Sequence, residues 1–265
     1  RIFFNTLVGK YARNKIEKWG WEHNHHHGDK KYIKSLVQSC LNLDKLIVVS
    51  NDLKDYYTKL FKEKKLQCEV KYIPNYIDEL PKDRSNLDLN KLISVGRLSP
   101  EKGFLDLIDV FKIVEMKRTG VSLDIVGDGV EQKAIFKKIV NNNLSGKVKL
   151  HGFRSKDYIN ELYQNAGMYL MTSKTESFGI VLIEAMSYGI PCLAYDSAEG
   201  AREIINNDGN GYLIKNRNEH DTADKILSIM NDPKLLNRLS ENAIKTAKKY
   251  TKDNVIKLWY EMLKR

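Results

Sequence analysis

From about residue 92 onward, short apolar runs alternate with segments whose apolar residues recur at helical spacing. Leu92–Val95 reads as a strand, and Phe104, Leu107, Ile108, Phe111 and Val114 then fall on one helix face. Val121–Val126 is the next strand, closed by Gly127-Asp128-Gly129, and a helix carrying Ile135 and Ile139 follows. Val148–Leu150 is a strand ending at Gly152, and Tyr158, Ile159, Leu162 and Tyr163 mark another helix. Met168–Met171 is a strand, followed by a turn and a helix through Ile180–Met186. Ile190–Ala194 is a strand, Ala201–Ile205 a short helix and Tyr212–Ile214 a last short strand. Strands alternating with helices predict βαβ units and a parallel sheet. These strands are apolar on both faces, as strands covered on both sides are.

The earlier residues read as the latter half of another α/β domain. Trp19-Gly20-Trp21 is a strand, Lys31–Cys40 a helix, Leu46–Val49 a strand, Asp52–Lys64 a helix and Val70–Ile73 a strand stopped by Pro74. The expected organisation is an incomplete first lobe over 1–77, a polar linker over 78–90, a second lobe over 91–248 and a terminal helix within 249–265. That helix carries an apolar stripe of Ile256, Trp259, Tyr260 and Leu263, which needs a surface to bury against. The chain begins with Arg1 inside an apolar segment, so the natural N-terminus is expected further upstream.

Composition narrows the class. With 42% hydrophobic residues, 16 Gly and 5 Pro, the 265 residues are neither disordered nor collagen-like. Ile180–Ile183 is among the longest apolar runs, far short of the roughly 20 residues that span a bilayer. No secretory h-region opens the sequence, and Cys40, Cys68 and Cys192 form no C-x-x-C, which points to a reducing, cytoplasmic setting. Lys plus Arg number 44 against 34 acids, a net charge of +10. Runs such as Lys62, Lys64, Lys65 and Lys245, Lys248, Lys249 read as solvated helix faces. No aromatic-interleaved basic strand or zinc-finger spacing supports a nucleic-acid partner. Attraction to an anionic membrane surface stays open.

A parallel sheet binds ligands beyond the carboxyl ends of its strands. That rule directs attention to Gly96-Arg97, Gly127–Gly129, His151–Arg154 and Thr172–Gly179. In Thr175–Met186 a helix start near Phe178 or Gly179 offers free amides to a phosphate. Glu176 precedes that start and Glu184 lies about five residues into the helix, roughly 7–8 Å further along at 1.5 Å per residue. The two could hold hydroxyls on two parts of one ligand. Alternatively, Glu176 caps the helix and Glu184 is a solvated surface residue. Arg97 leaves the first strand of this half and Lys102 opens the next helix, where two cations could clamp a diphosphate or simply be surface residues. Gly127-Asp128-Gly129 fails the dinucleotide fingerprint, since position 132 is Gln, and reads as a tight turn. His23, His25, His26 and His27 share one short loop without a second ligand group, so no metal is expected there.

Together these residues resemble the family-4 retaining glycosyltransferases of the GT-B fold, of the bacterial surface-polysaccharide type. The resemblance rests on Val95–Gly103, Ile125–Gly129, Leu150–Phe153, the Glu-x7-Glu pair Glu176 and Glu184 within Ser177–Met186, Gly189-Ile190-Pro191 and Asn210-Gly211-Tyr212. It implies two Rossmann-like lobes with parallel sheets, the N-terminal acceptor-side lobe incomplete, a second lobe that binds a nucleotide sugar, and a last helix within 249–265 that crosses back and buries its stripe against the first lobe. Arg97 and Lys102 would neutralise the donor diphosphate, and the backbone of Phe178, Gly179, Ile180 and Val181 would face sugar and phosphate. Glu184 would hold the ribose, Glu176 the transferred sugar, and backbone near Arg154 the base. His23 is similar to the family's histidine beside the anomeric centre. The implied reaction moves a sugar, with retention, from a nucleotide diphosphate sugar to a hydroxyl of a glycan or lipid-linked acceptor. A uridine diphosphate donor is favoured and no metal or other cofactor is required. The alternatives are a sugar-nucleotide epimerase or a non-catalytic auxiliary subunit of the same fold. The family's glycine-rich acceptor loop follows a strand that this sequence does not contain.

Overall fold

A computed structural model describes residues 2–13, 16–24, 26 and 28–264. The chain forms two compact units, residues 1–75 with 255–265, and residues 76–254. In the first, helix α1 (Ile2–Tyr11) precedes a regular alternation of β1 (Trp19–Glu22), α2 (Lys30–Ser39), β2 (Lys45–Val48), α3 (Asn51–Glu63) and β3 (Glu69–Tyr72). The strands pair in parallel in the order β1-β2-β3, with Trp19 opposite Lys45 and Lys45 opposite Glu69. The central strand β2 is buried along its whole length, which explains the apolar run that follows Lys45. Capping side chains fix the starts of α2 and α3: Asp29 accepts from the amides of Lys31 and Tyr32, and Ser50 from Leu53. The apolar pattern did not predict α1 as a helix. It leaves Phe3 and Phe4 exposed, so its periodicity carries little signal.

The second unit holds β4 (Lys91–Val95), α4 (Phe104–Lys117), β5 (Ser122–Val126), α5 (Gln132–Asn141), β6 (Val148–Leu150), α6 (Lys156–Tyr163) and β7 (Met168–Met171). It continues through α7 (Ile180–Ser187), β8 (Cys192–Tyr195), α8 (Glu199–Ile204), β9 (Gly211–Ile214), α9 (Glu219–Met230) and α10 (Pro233–Lys249). The six strands form one parallel sheet in the order β6-β5-β4-β7-β8-β9. Chain direction across the sheet therefore switches between β4 and β7, and a crevice opens at their carboxyl ends. The predicted face of α4, from Phe104 to Val114, is buried in the core with Leu92, Leu123 and Ile125. The sequence reading gave no bounds for α9 or α10, although Asp232 caps α10 through the Leu235 amide and Pro233 occupies its first turn.

Residues 78–90, expected as a linker, carry no helix or strand. They lie along the second unit, where the Ser85 amide donates to the Tyr188 carbonyl and the Asn86 amide to Gln164, each at 2.9 Å. Helix α11 (Lys252–Leu263) joins the first unit from Val255 onward. The stripe it buries differs from the expected one. Val255 and Met262 pack with Ile47 and Ile73, and Trp259 stacks on Trp19 at 6.3 Å and meets Trp21 edge-on at 5.2 Å. Tyr260 and Leu263 stay exposed. Spacings of four and seven from Val255 define the covered face, and Tyr260 lies outside it.

Candidate functional site

The β4/β7 switch point holds a cavity of about 240 Å³. Its walls are Ser94–Arg97 from the end of β4, Lys102 from the 3-10 turn Pro100–Lys102, Thr172, Ser173 and Glu176 from the loop after β7, and Ile180 and Val181 from the first turn of α7. Tyr169 forms part of the floor, its hydroxyl donating to the Val95 carbonyl at 2.8 Å. Gly179 precedes α7 with φ +86°, a left-handed conformation that a side chain would strain. The Leu182 amide donates to the Gly179 carbonyl at 2.9 Å, whereas the Ile180 and Val181 amides precede the first bond within the helix, which makes this start a partial positive charge beside the cavity.

Both expected phosphate ligands reach this cavity, and both have a carboxylate partner. Lys102 pairs with Glu176 across the cavity, each side chain mostly buried. The exposed Arg97 guanidinium bonds Glu101 at 2.7 Å. The Ser99 hydroxyl first, and Arg97 after it, hold the Glu101 carboxyl below its ordinary range. Glu176 is not the helix cap, a place taken by Gly179. Its backbone is fixed by α8, whose Gly200 amide donates to the Glu176 carbonyl at 2.7 Å. The Glu199 carboxylate accepts from the Glu176 amide at 3.3 Å and the Thr175 hydroxyl at 3.0 Å.

Glu184 lines a second cavity, of about 310 Å³, with Asp78, Lys156, Asn160, Ser187 and Tyr188. Ile180, Val181, Glu184 and Ser187 share one face of α7, so that face runs from the first cavity to the second. Glu184 is partly buried, against the reading of it as a solvated surface residue. Burial pushes its carboxyl above the ordinary range, offset in part by Lys156. Folding thus favours the protonated form, and stability is lost as pH rises through the folded pKa. Glu184→Gln should raise the unfolding midpoint of the free protein near neutral pH and leave it unchanged at about pH 3, below the ordinary carboxylate range, where folded and unfolded chains both hold the proton. Thermal unfolding across that range checks this, and an equal shift at both ends would refute it.

The other expected residues are placed differently. The Phe178 ring turns into the core against Tyr250 and lines neither cavity. Arg154 is exposed, its guanidinium 5.0 Å over the Tyr158 ring, and it too lines neither. His151 is buried between Asp124 at 2.6 Å and the Tyr158 hydroxyl at 2.9 Å, a structural cluster that ties β5, β6 and α6 together. His23 belongs to the first unit and stacks on Trp21 at 4.8 Å. His26 stacks on Tyr56 at 3.9 Å, and His25 and His27 lie outside the described residues. Sequence reasoning missed Glu199 and Arg217, which touch the cavity walls from behind. Both follow strand ends, so the rule that found Arg97 applied to them as well.

Residues 76–246 match the family described as Glycosyl transferases group 1. The chain is 30% identical over 246 residues to the poly(glycerol-phosphate) alpha-glucosyltransferase of Bacillus subtilis, covering 89% of this chain and 36% of that one. It is 27% identical to the poly(ribitol-phosphate) alpha-N-acetylglucosaminyltransferase of Staphylococcus aureus, covering 98% of this chain and 52% of the relative. Among solved structures it superposes on a Staphylococcus aureus TarM mutant in complex with fondaparinux, alpha-GlcNAc-glycerol and UDP. The TM-score is 0.81 at 25% identity, over 95% of this chain and 52% of that one. The chain therefore spans between about a third and a half of the length of these proteins.

Proposed function

The chain belongs to the glycosyl transferases group 1 family, and from that premise we propose that it serves a retaining transfer of sugar from a nucleoside diphosphate sugar to a hydroxyl of a surface glycan or its lipid-linked precursor. The observation that carries the donor half of this reading is the switch-point cavity, where Arg97, Lys102 and the start of α7 face one space beside Glu176. Transfer breaks the bond between the anomeric carbon and the diphosphate oxygen and forms a bond to the acceptor oxygen. The acceptor proton passes to the departing phosphate oxygen. Charge grows on the leaving diphosphate, and two side-chain cations and a helix N-terminus stabilise it there in place of a metal. Glu176 takes hydroxyls of the transferred sugar, and Glu184, further along α7, those of the ribose. The alpha linkages in the relatives' names support retention, because uridine diphosphate glucose and its N-acetylamino analogue are themselves alpha-linked.

A thermal-shift panel of UDP, UDP-glucose, UDP-N-acetylglucosamine and GDP-mannose tests the reading. A true donor at 100 times its dissociation constant stabilises by about 2.7 kcal/mol. No shift with any of them defeats the donor assignment. Conversion of the sugar nucleotide to an epimer, with no transfer to any acceptor, would favour the epimerase reading.

The protein works at the cytoplasmic face of the membrane as a peripheral partner of anionic lipid. No helix among the described residues is long and apolar enough to cross a bilayer. Support for docking comes from the first unit, where α1 exposes Phe3, Phe4 and Tyr11 on a segment that also carries Lys10 and Arg13. Each well-placed cation is worth about 1 kcal/mol at such a surface. Sedimentation with phosphatidylglycerol vesicles should exceed that with phosphatidylcholine at low salt and fall at high salt. Equal sedimentation with both at low salt rules the docking out.

A further inference from the structure

Arg217 lies outside the cavity and outside every motif in the sequence reading. It follows β9 in the short 3-10 turn Lys215–Arg217, and its side chain is only 24% exposed. The guanidinium reaches back past the ends of β8 and β7 to the first turn of α4. One nitrogen donates to the Thr172 carbonyl at 3.2 Å and the Ser197 hydroxyl at 3.3 Å. The other pairs with Asp106 in the first turn of α4. The group sits 4.6 Å over the Tyr195 ring, which closes its remaining face.

The partners of Arg217 are the supports of the cavity wall. The Thr172 hydroxyl donates to the Gly103 carbonyl at 2.9 Å, and the Ser197 hydroxyl to the Ser173 carbonyl at 3.1 Å. Asp106 returns its own amide to the Gly103 carbonyl at 3.1 Å. One guanidinium therefore grips both sides of the Gly103–Thr172 junction, from which Lys102 projects into the cavity. A planar fork with several donors can serve a carbonyl, a hydroxyl and a carboxylate at once. A lysine ammonium in the same place could keep Asp106 but would not span all three.

We infer that Arg217 is a positioning residue of the donor site, holding the backbone that aims Lys102 at the diphosphate. The inference rests on the donor reading above. UDP binding by calorimetry to the unaltered chain, R217M, R217K, K102A and the double variant tests it. R217M should weaken UDP binding about tenfold, the loss of roughly one charged hydrogen bond. R217K should recover only part of that. In the K102A background R217M should change the dissociation constant less than about twofold, because the residue through which it acts is gone. A residue that only stabilised the fold would lower the thermal midpoint and leave UDP affinity of the folded protein unchanged.

Wild-type affinity in R217M overturns the inference, and so does an undiminished tenfold loss in the K102A background. If R217M does not fold, R217K decides: severalfold weaker binding at a near-normal thermal midpoint supports the inference, and unchanged binding overturns it. Failure of the unaltered chain to bind UDP or any other nucleoside diphosphate defeats the donor reading itself. Binding by the unaltered chain that both Arg217 variants retain defeats this inference alone.

Discussion

Replacing Lys102 with alanine is expected to weaken binding of UDP by roughly ten- to a hundredfold, the loss of a charge-assisted bond worth about 1.5–3 kcal/mol. Two effects act in the same direction. The diphosphate loses a cation, and the Glu176 carboxylate, mostly buried beside it, loses the ion pair that neutralises it. An incoming phosphate then meets an uncompensated like charge. Replacing Glu176 with glutamine reverses the second effect. It frees Lys102, so bare UDP should bind as well as before or more tightly. The sugar nucleotide should bind less tightly, since the amide cannot accept at both atoms from the sugar hydroxyls. Calorimetry on UDP and UDP-glucose with both variants separates the roles. Equal losses of UDP in the two variants would overturn them. If Glu176→Gln keeps transfer at a moderate rate, a covalent glycosyl intermediate on this residue is excluded.

The Lys102–Glu176 pair marks the limit of what the sequence made legible. Each residue could be assigned to the ligand side of the sheet, because Lys102 follows one strand and Glu176 another. The strand order β4-β7 that brings their loops together joins segments 74 residues apart, and no local pattern encodes that adjacency. The eight-residue spacing of Glu176 and Glu184 was visible, yet it did not reveal that they line separate cavities. That outcome depends on where α7 starts. With Gly179 in the left-handed region and the helix beginning at Ile180, Phe178 turns inward while Val181 and Glu184 face out. Strands β7 and β8 were the plainest because burial along their whole length makes them continuous apolar runs. Helix α1 was not, because Phe3 and Phe4 are apolar yet uncovered. Of the expected stripe on α11, Ile256, Trp259, Tyr260 and Leu263, only Trp259 packs on the buried cluster, whose other α11 members are Val255 and Met262, and Tyr260 and Leu263 are exposed.

Gly103→Ala is expected to cost about 2–5 kcal/mol of stability and to take donor binding with it. The residue joins the 3-10 turn of Lys102 to α4 at φ +65°, where an L side chain costs roughly 1–2 kcal/mol. Steric contact costs more. A Cβ at this position would lie 2.2 Å from the Thr172 carbonyl oxygen and 3.1 Å from its carbon. Both atoms are backbone at the end of β7, so relief requires the β7 end and the start of α4 to separate, an overpacking cost of about 1–3 kcal/mol. Separation also breaks the Thr172 bond to the Gly103 carbonyl and moves Lys102, the adjacent residue, away from the cavity. Gly120 supplies the control. It has φ +84° and open space where its Cβ would be, so Gly120→Ala carries the backbone cost without the clash. Urea unfolding of the two variants, with UDP binding measured on each, isolates the effect of the clash. The Gly103 variant should be less stable than the Gly120 variant by at least about 1 kcal/mol and should alone lose UDP affinity. Equal destabilisation, with UDP binding intact in both, would show that the close approach of Gly103 to Thr172 neither holds the junction nor aims Lys102.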